Sequence, residues 1–461
     1  MAASLRRDLT LTNCIALVVA NMVGTGIFTT TGFLADDLGR PLLVIGIWVV
    51  GAIVALAGCF AYAELGMNFP RSGGEYAYLR EAWGPGWAFL SGWVSFFAGF
   101  SAPIAATALA FSAYLADYFP SLAQTAGPNT PGWHLGFNIP AFLIVMLLTM
   151  VLVRGIRESA ETNNVMVLLK IAAILAFVFV GMRFIHPTNY HPFVPEGWSG
   201  VLTGGSIIFF TYIGFDSVST AAEEARNPQR DLPIGIIATL IVCTVLYIAV
   251  AVVLTGLVPW RSLIDDAAPV VNSLSLLAGT TKSALLHWTE LAVLFGAMMG
   301  MISSLLVFQL GQARVWFSMS RDGLLPKIFS RVHPRFRTPA VATWIAGFLV
   351  GIPGGSLDIG TLSDLSNIGT LFAFVLVSLG VIILRYKQPE RHRGFRAPGG
   401  LAAPILSVLF CVLLMAGLPI LTWLRFFFWL IIGMGVYWLY SRHRSEFSPR
   451  NANALLTAGK R

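Results

Sequence analysis

Apolar runs long enough to cross a bilayer, separated by short polar segments, constrain this chain more than any single motif. A spanning helix needs roughly 20 mostly apolar residues. Twelve runs are predicted, near 12–36, 41–66, 86–118, 139–153, 163–183, 200–224, 232–258, 287–319, 339–353, 364–385, 401–422 and 425–441. The third and eighth are long, which implies tilt or extension beyond the hydrocarbon. The fourth and ninth are short. Of 461 residues, 56% are hydrophobic and 11% charged, against about 25% charged in an average soluble domain. So few charges cannot cover a water-facing surface of this size. Residues 1–461 therefore read as a single all-α polytopic membrane domain, with a short polar cytoplasmic tail at 442–461. Turn signals and aromatics in PRSGGEYAYLREAWG, within 68–85, predict a short interfacial helix. DAAPVVNSLSLLAG, within 258–288, predicts short surface helices over the outer mouth.

A net charge of +8 does not point to nucleic acid, because the basic residues sit in short loops rather than along one face. With the N-terminus inside, 24 of the 30 Lys and Arg fall on the inner side. The outer side carries Arg40, Arg183, Arg261, Lys282 and Arg425, and Lys170 lies within the fifth run. That asymmetry predicts a multi-pass protein of the cell inner (plasma) membrane with both termini cytoplasmic. Arg6 and Arg7 precede the first run with no small-residue cleavage site, so the run reads as a retained span. Cys14, Cys59, Cys243 and Cys411 lie in or beside apolar runs as small helix residues. No histidines form an i, i+4 pair inside a span, so zinc and haem have no visible ligands. No cofactor, no metal and no enzyme chemistry is expected, and the absence of an ATP-binding motif disfavours a primary pump.

The first run is interrupted by NMVGTGIF at 21–28. Each glycine weakens a helix by about 1 kcal/mol relative to alanine, and lipid offers no water to a loosened backbone. Run 6 is interrupted too, at FFTYIGFDS, 209–217, with Gly214 and Asp216 in mid-span. Runs 1 and 6 hold corresponding places in two successive groups of five, 1–5 and 6–10. Matched breaks of this kind point to an inverted-repeat transporter with its site at the midplane. The repeats would cover 10–183 and 200–385, with helices 11 and 12 at 401–441. A half-helix beginning near Thr25, Gly26 and Ile27 offers free N–H groups and a positive dipole end to a carboxylate. Free carbonyls near Met22, Phe210 and Ile213 suit an ammonium group. Together they match the main chain of an α-amino acid. The competing reading is that Gly24 and Gly26 only permit close helix packing. GTGIFT fails as a phosphate loop, having no preceding strand and no third glycine.

These segments resemble the amino acid–polyamine–organocation (APC) transporters, in particular their bacterial cationic-amino-acid-transporter-like branch. The similarity extends through FFTYIGFDSVSTAAEEARNPQRDLPIGI at 209–236, FSMSRDGLLPKIFSRVHPRFRTP at 317–339 and NNVMVLLKIAAILAF at 163–177. It also takes in LSNIGTLFAFVLV at 365–377 and FRAPGG at 395–400. The resemblance implies a LeuT-like five-plus-five fold with discontinuous helices 1 and 6, and secondary amino acid transport. It places carboxylate contacts at Thr25, Gly26 and Ile27, and amine contacts at Met22, Phe210 and Ile213, with Val23 completing the substrate-binding set. Phe210 matches a gating aromatic, and Asp216 an acidic position implicated in pH response.

Lys170 lies seven residues beyond Asn163, about 10 Å into its span at 1.5 Å per residue. Taken alone it is either a snorkelling or paired lysine or a functional one, since an intramembrane charge is costly. The resemblance implies that it stands where sodium-coupled relatives bind sodium, bridging the first and eighth helices, and cycles its proton during transport. Glu64 reads as an inner-end residue pairing with a basic loop, or as a coupling group. Glu223 and Glu224, before Arg226 and Arg230, read as an inner ion network. Arg314, Arg321, Lys327, Arg331, Arg335 and Arg337 read as positive-inside signal, with lipid headgroups as further partners. The expected side-chain lining, Phe210, Phe215 and Met298–Met301, favours a small neutral substrate such as alanine over a cationic one. Proton-coupled uptake is expected. The alternatives are exchange without net ion coupling, a non-transporting amino acid sensor and a membrane-embedded enzyme.

Overall fold

The computed structural model describes residues 10–38, 41–69, 73–119, 136–155, 159–190, 198–216, 225–264, 266, 268–390 and 394–444. These residues are almost entirely helical. In chain order the helices are α1 (Leu11–Met22), α2 (Thr25–Leu38), α3 (Pro41–Asn68), α4 (Glu75–Trp83), α5 (Pro85–Val94), α6 (Ala102–Tyr118), α7 (Ile139–Arg154) and α8 (Ser159–Gly181). They continue as α9 (Trp198–Tyr212), α10 (Pro228–Leu257), α11 (Pro269–Thr281), α12 (Ala284–Arg321), α13 (Ala340–Ser356), α14 (Ile359–Lys387), α15 (Ala402–Ala416) and α16 (Ile420–Val436).

Eight helical stretches among the described residues are long and apolar enough to cross a membrane, and α7, α13 and α15 are shorter apolar helices. Their outward faces confirm the solvent. Leu168, Val245, Phe428 and Ile431 are more than 60% exposed, an apolar belt far larger than a water-soluble protein tolerates. The protein is an all-α, multi-span membrane protein. Inside this belt a continuous core surrounds α1, which packs against α8, α10 and α12, while α2 packs against α9.

The expected short helix in 68–85 is α4, and the expected surface helices in 258–288 are a 3-10 turn at Trp260–Leu263 and α11. Run 11 needs correction. Its helix ends at Ala416, and Gly417–Pro419 separates it from α16, which begins at Ile420 rather than 425. Leu418 keeps hydropathy high through that turn, so an apolar window cannot see it. The third run is one span with a π segment, Ser95–Ser101, between α5 and α6. Pro103 has no N–H to donate into the preceding turn, which favours the wider winding. The Phe96 carbonyl there accepts from Ser101 Oγ at 3.0 Å and Gln312 Nε2 at 3.1 Å. Glu223 and Glu224 lie outside the described residues.

Two polar clusters tie helix ends together. Glu64 on α3, 1% exposed, takes a two-pronged bond from Arg385 at the end of α14 and a third from Ala397 N at 2.8 Å. It is a structural pair, though its partner is a helix-end arginine rather than a loop. Asp322, capping α12, accepts from Tyr76 at 2.6 Å and Arg80 at 2.8 Å, joining α4 to α12. Removing one partner of a buried pair leaves the other uncompensated, typically a loss of about 3–5 kcal/mol. Glu64→Gln should therefore lower the melting temperature in detergent markedly, and Glu64→Gln with Arg385→Gln should recover part of it. Equal melting of wild type and E64Q would contradict this.

Candidate functional site

The first apolar run divides at Val23 and Gly24. Val23 N donates to Val19 O at 3.0 Å and Gly24 N to Met22 O at 2.9 Å, so α1 closes on itself and the chain restarts as α2 at Thr25. A Cβ on Gly24 would collide with the Ser304 hydroxyl, and one on Gly26 would lie 2.5 Å from Thr211 Cγ2. Facing this break, α9 stops at Tyr212 and the chain turns through Ile213–Asp216. Gly214 has φ +119°, which a side chain rarely adopts, and a Cβ there would stand 2.7 Å from Asn21 Cβ. The two interruptions meet. The packing and the helix-break readings of these glycines hold together, because the broken ends can only approach where no side chain intervenes.

Met22, Thr25, Gly26, Phe210 and Ile213 line one narrow cavity, completed by Pro103 and Thr107 from α6 and Ser304 and Phe308 from α12. Val23 and Ile27 are buried beside it without lining it. Thr25, Gly26 and Ile27 form the first turn of α2, where N–H groups have no intrahelical carbonyl. The Thr25 hydroxyl is buried and has no protein partner among the described residues. The side-chain wall differs from expectation. Phe215 packs on Tyr62 and Phe374 instead, and Phe308, not Met298–Met301, faces the cavity.

The acceptor side also needs correction. The Met22 carbonyl is not open: it accepts from Gly24 N and from Tyr247 Oη on α10, the latter at 2.5 Å. The same tyrosine hydroxyl stands 3.3 Å from Thr211 O on α9. Phe210 O accepts from Ile213 N at 3.3 Å, a long bond. Sequence reasoning missed Tyr247, since one hydroxyl in an apolar run carries no pattern.

Lys170 is fully buried, so the snorkelling reading fails. Leu168 on the same helix points outward at 68% exposure, whereas Lys170 points into the bundle. Its Nζ donates to Ala20 O at 2.9 Å, and Ser304 Oγ donates to that same carbonyl at 2.5 Å. The eighth-span helix thus meets the lysine through a shared carbonyl of α1.

An amino acid permease family model matches residues 9–437. The chain is 41% identical over 452 residues to a branched-chain amino acid permease of Bacillus subtilis, covering 96% of this chain and 95% of that one. It is 40% identical over 447 residues to a methylthioribose transporter of the same organism, with 96% and 95% covered. It is also 36% identical over 397 residues to the chloroplastic cationic amino acid transporter 9 of Arabidopsis thaliana, with 84% and 68% covered. The chain belongs to the amino acid permeases of the APC superfamily, and is thus a transporter rather than an enzyme. Its relatives span several branches, so the cationic branch is not singled out.

Beyond the α9 turn lies a residue that the sequence did not mark. Glu75, on α4 outside the apolar spans, is 2% exposed, and its Oε2 has no protein partner among the described residues. Burial first, then the nearby charge of Asp216, push its carboxyl up from 4.5 to about 7, against a hydrogen bond with Ser95 that lowers it. Between those values the native protein holds a proton that the unfolded chain releases, so stability falls as pH rises through that window. This linkage is worth up to about 3 kcal/mol. Glu75→Gln should flatten the decline of melting temperature between pH 5 and 8. An unchanged slope would remove Glu75 as its source.

Proposed function

We propose that this permease is a secondary active carrier that takes up a small neutral amino acid with a proton by alternating access. The observation that carries this reading is the meeting of two interrupted helices around one buried cavity. The scaffold is twelve spans in the LeuT-like arrangement, with inverted repeats over 10–183 and 200–385 and helices 11 and 12 at 401–441. The charge split supports cytoplasmic termini in the cell inner membrane.

The amides of Thr25, Gly26 and Ile27, with the Thr25 hydroxyl, hold the substrate carboxylate. The carbonyls of Phe210 and Ile213 hold its ammonium group. Met22 and Val23 shape the break rather than supply an open acceptor, because the Met22 carbonyl is already used. The Phe210 ring, half-buried at the cavity, closes over the substrate from outside. No ionisable side chain lines the cavity among the described residues, which favours a neutral substrate over a cationic one. A relative named for branched-chain amino acids supports a neutral amino acid substrate, and one named for methylthioribose indicates that the scaffold also serves a ligand of another chemical class.

Lys170 supplies the coupling. Protonated, its ammonium pins α8 to the last turn of α1 through Ala20 O. Deprotonated, it loses a charge-assisted bond and loosens the half-helix that borders the site. Asp216 is the second proton-coupling group. In proteoliposomes free of sodium, a pH gradient should drive accumulation of alanine or valine by the wild type. Lys170→Ala should reduce that accumulation at least about tenfold, as loss of a positioned proton-transfer group does. Strict sodium dependence, or full gradient-driven uptake by K170A, would overturn the coupling.

A further inference from the structure

Asn21 closes the last turn of α1 and lines the cavity between the two helix breaks. It is 3% exposed, and neither Oδ1 nor Nδ2 has a protein partner among the described residues. Its neighbours on the cavity wall are satisfied. Thr107 Oγ1 donates to Pro103 O at 2.8 Å, Ser304 Oγ to Ala20 O, and Thr211 Oγ1 to Thr30 Oγ1 at 3.1 Å. Thr25 is the other lining residue with an unpartnered buried side-chain oxygen, and it sits at the helix start that suits a carboxylate. Asn21 is therefore left over once the two charged ends of an amino acid are accounted for.

Buried polar groups are hydrogen-bonded as a rule, and an amide that offers both a donor and an acceptor asks for a partner that does the same. A hydroxyl does. An aliphatic side chain leaves both amide atoms unpaired, and an ammonium group can engage only Oδ1. We propose that Asn21 is a specificity-determining residue that reads a hydroxyl on the substrate side chain, which makes hydroxyl-bearing neutral amino acids the preferred class. This rests on the amino acid carrier reading above and narrows it.

Threonine and valine differ by one hydroxyl in nearly the same shape, so they isolate this contact. With purified full-length protein in proteoliposomes, the wild type should favour threonine over valine in kcat/KM by about tenfold or more, as sites built to bond a hydroxyl do. Asn21→Leu, similar in size but unable to bond, should bring the ratio near one. A wild type that takes valine as well as threonine overturns the inference and leaves the carrier reading intact. An N21L protein with the wild-type ratio overturns it too. A wild type that takes up alanine but neither threonine nor valine overturns the inference alone, whereas one that takes up none of the three fells the carrier reading and this one with it. The wild-type comparison needs no variant, so it decides the matter even where N21L is too unstable to reconstitute.

Discussion

A helix cannot stop inside a bilayer unless its last carbonyls find donors, because the surrounding lipid provides none. α1 stops there, and three other helices supply what water would supply elsewhere. Lys170 from α8 and Ser304 from α12 reach Ala20 O, and Tyr247 from α10 reaches Met22 O. These bonds allow α2 to begin afresh at Thr25, where Thr25 and Gly26 line a cavity. They also explain why a lysine is tolerated in the core: it ends a helix. The same bonds fix α1 against each of the helices it packs on, so site and bundle are held by one set of contacts.

Much of this was legible in the sequence, and the legible part has a common cause. Glycine in a span is visible against its apolar neighbours, so the breaks near Gly24 and Gly214 could be located by eye. A charge in a span is equally visible, which exposed Lys170. The rest depended on register. Nothing in a run such as CTVLYIAV says that the Tyr247 hydroxyl points at a broken helix rather than at lipid. Asn21 was in plain view beside the glycines, yet its want of a side-chain partner among the described residues depends on how the helices pack around the cavity. The Met22 carbonyl was misread for the same reason, since an acceptor can be promised from a helix end but its donor comes from elsewhere. The α15–α16 boundary escaped because Gly417–Pro419 turns the chain without lowering its hydropathy.

Away from the cavity, helix ends are joined differently. There, charged side chains pair: buried Glu64 with Arg385, and half-buried Asp322 with Arg80, Asp322 also accepting from the Tyr76 hydroxyl. Each pair joins helices distant in the chain. At the cavity the lining side chains are uncharged: Thr107 and Ser304 bond to backbone, Thr211 bonds to Thr30, and Asn21 and Thr25 have no side-chain partner among the described residues. The cavity wall thus keeps uncharged hydrogen-bonding groups, while the Lys170 side chain lies behind it against Ala20 O.

The Tyr247 hydroxyl has one further consequence. It owns a single proton yet lies 2.5 Å from Met22 O and 3.3 Å from Thr211 O, on two separately interrupted helices. One hydroxyl on α10 thus stands against both broken ends, and drawing α1 and α9 away from α10 would cost it both carbonyls at once.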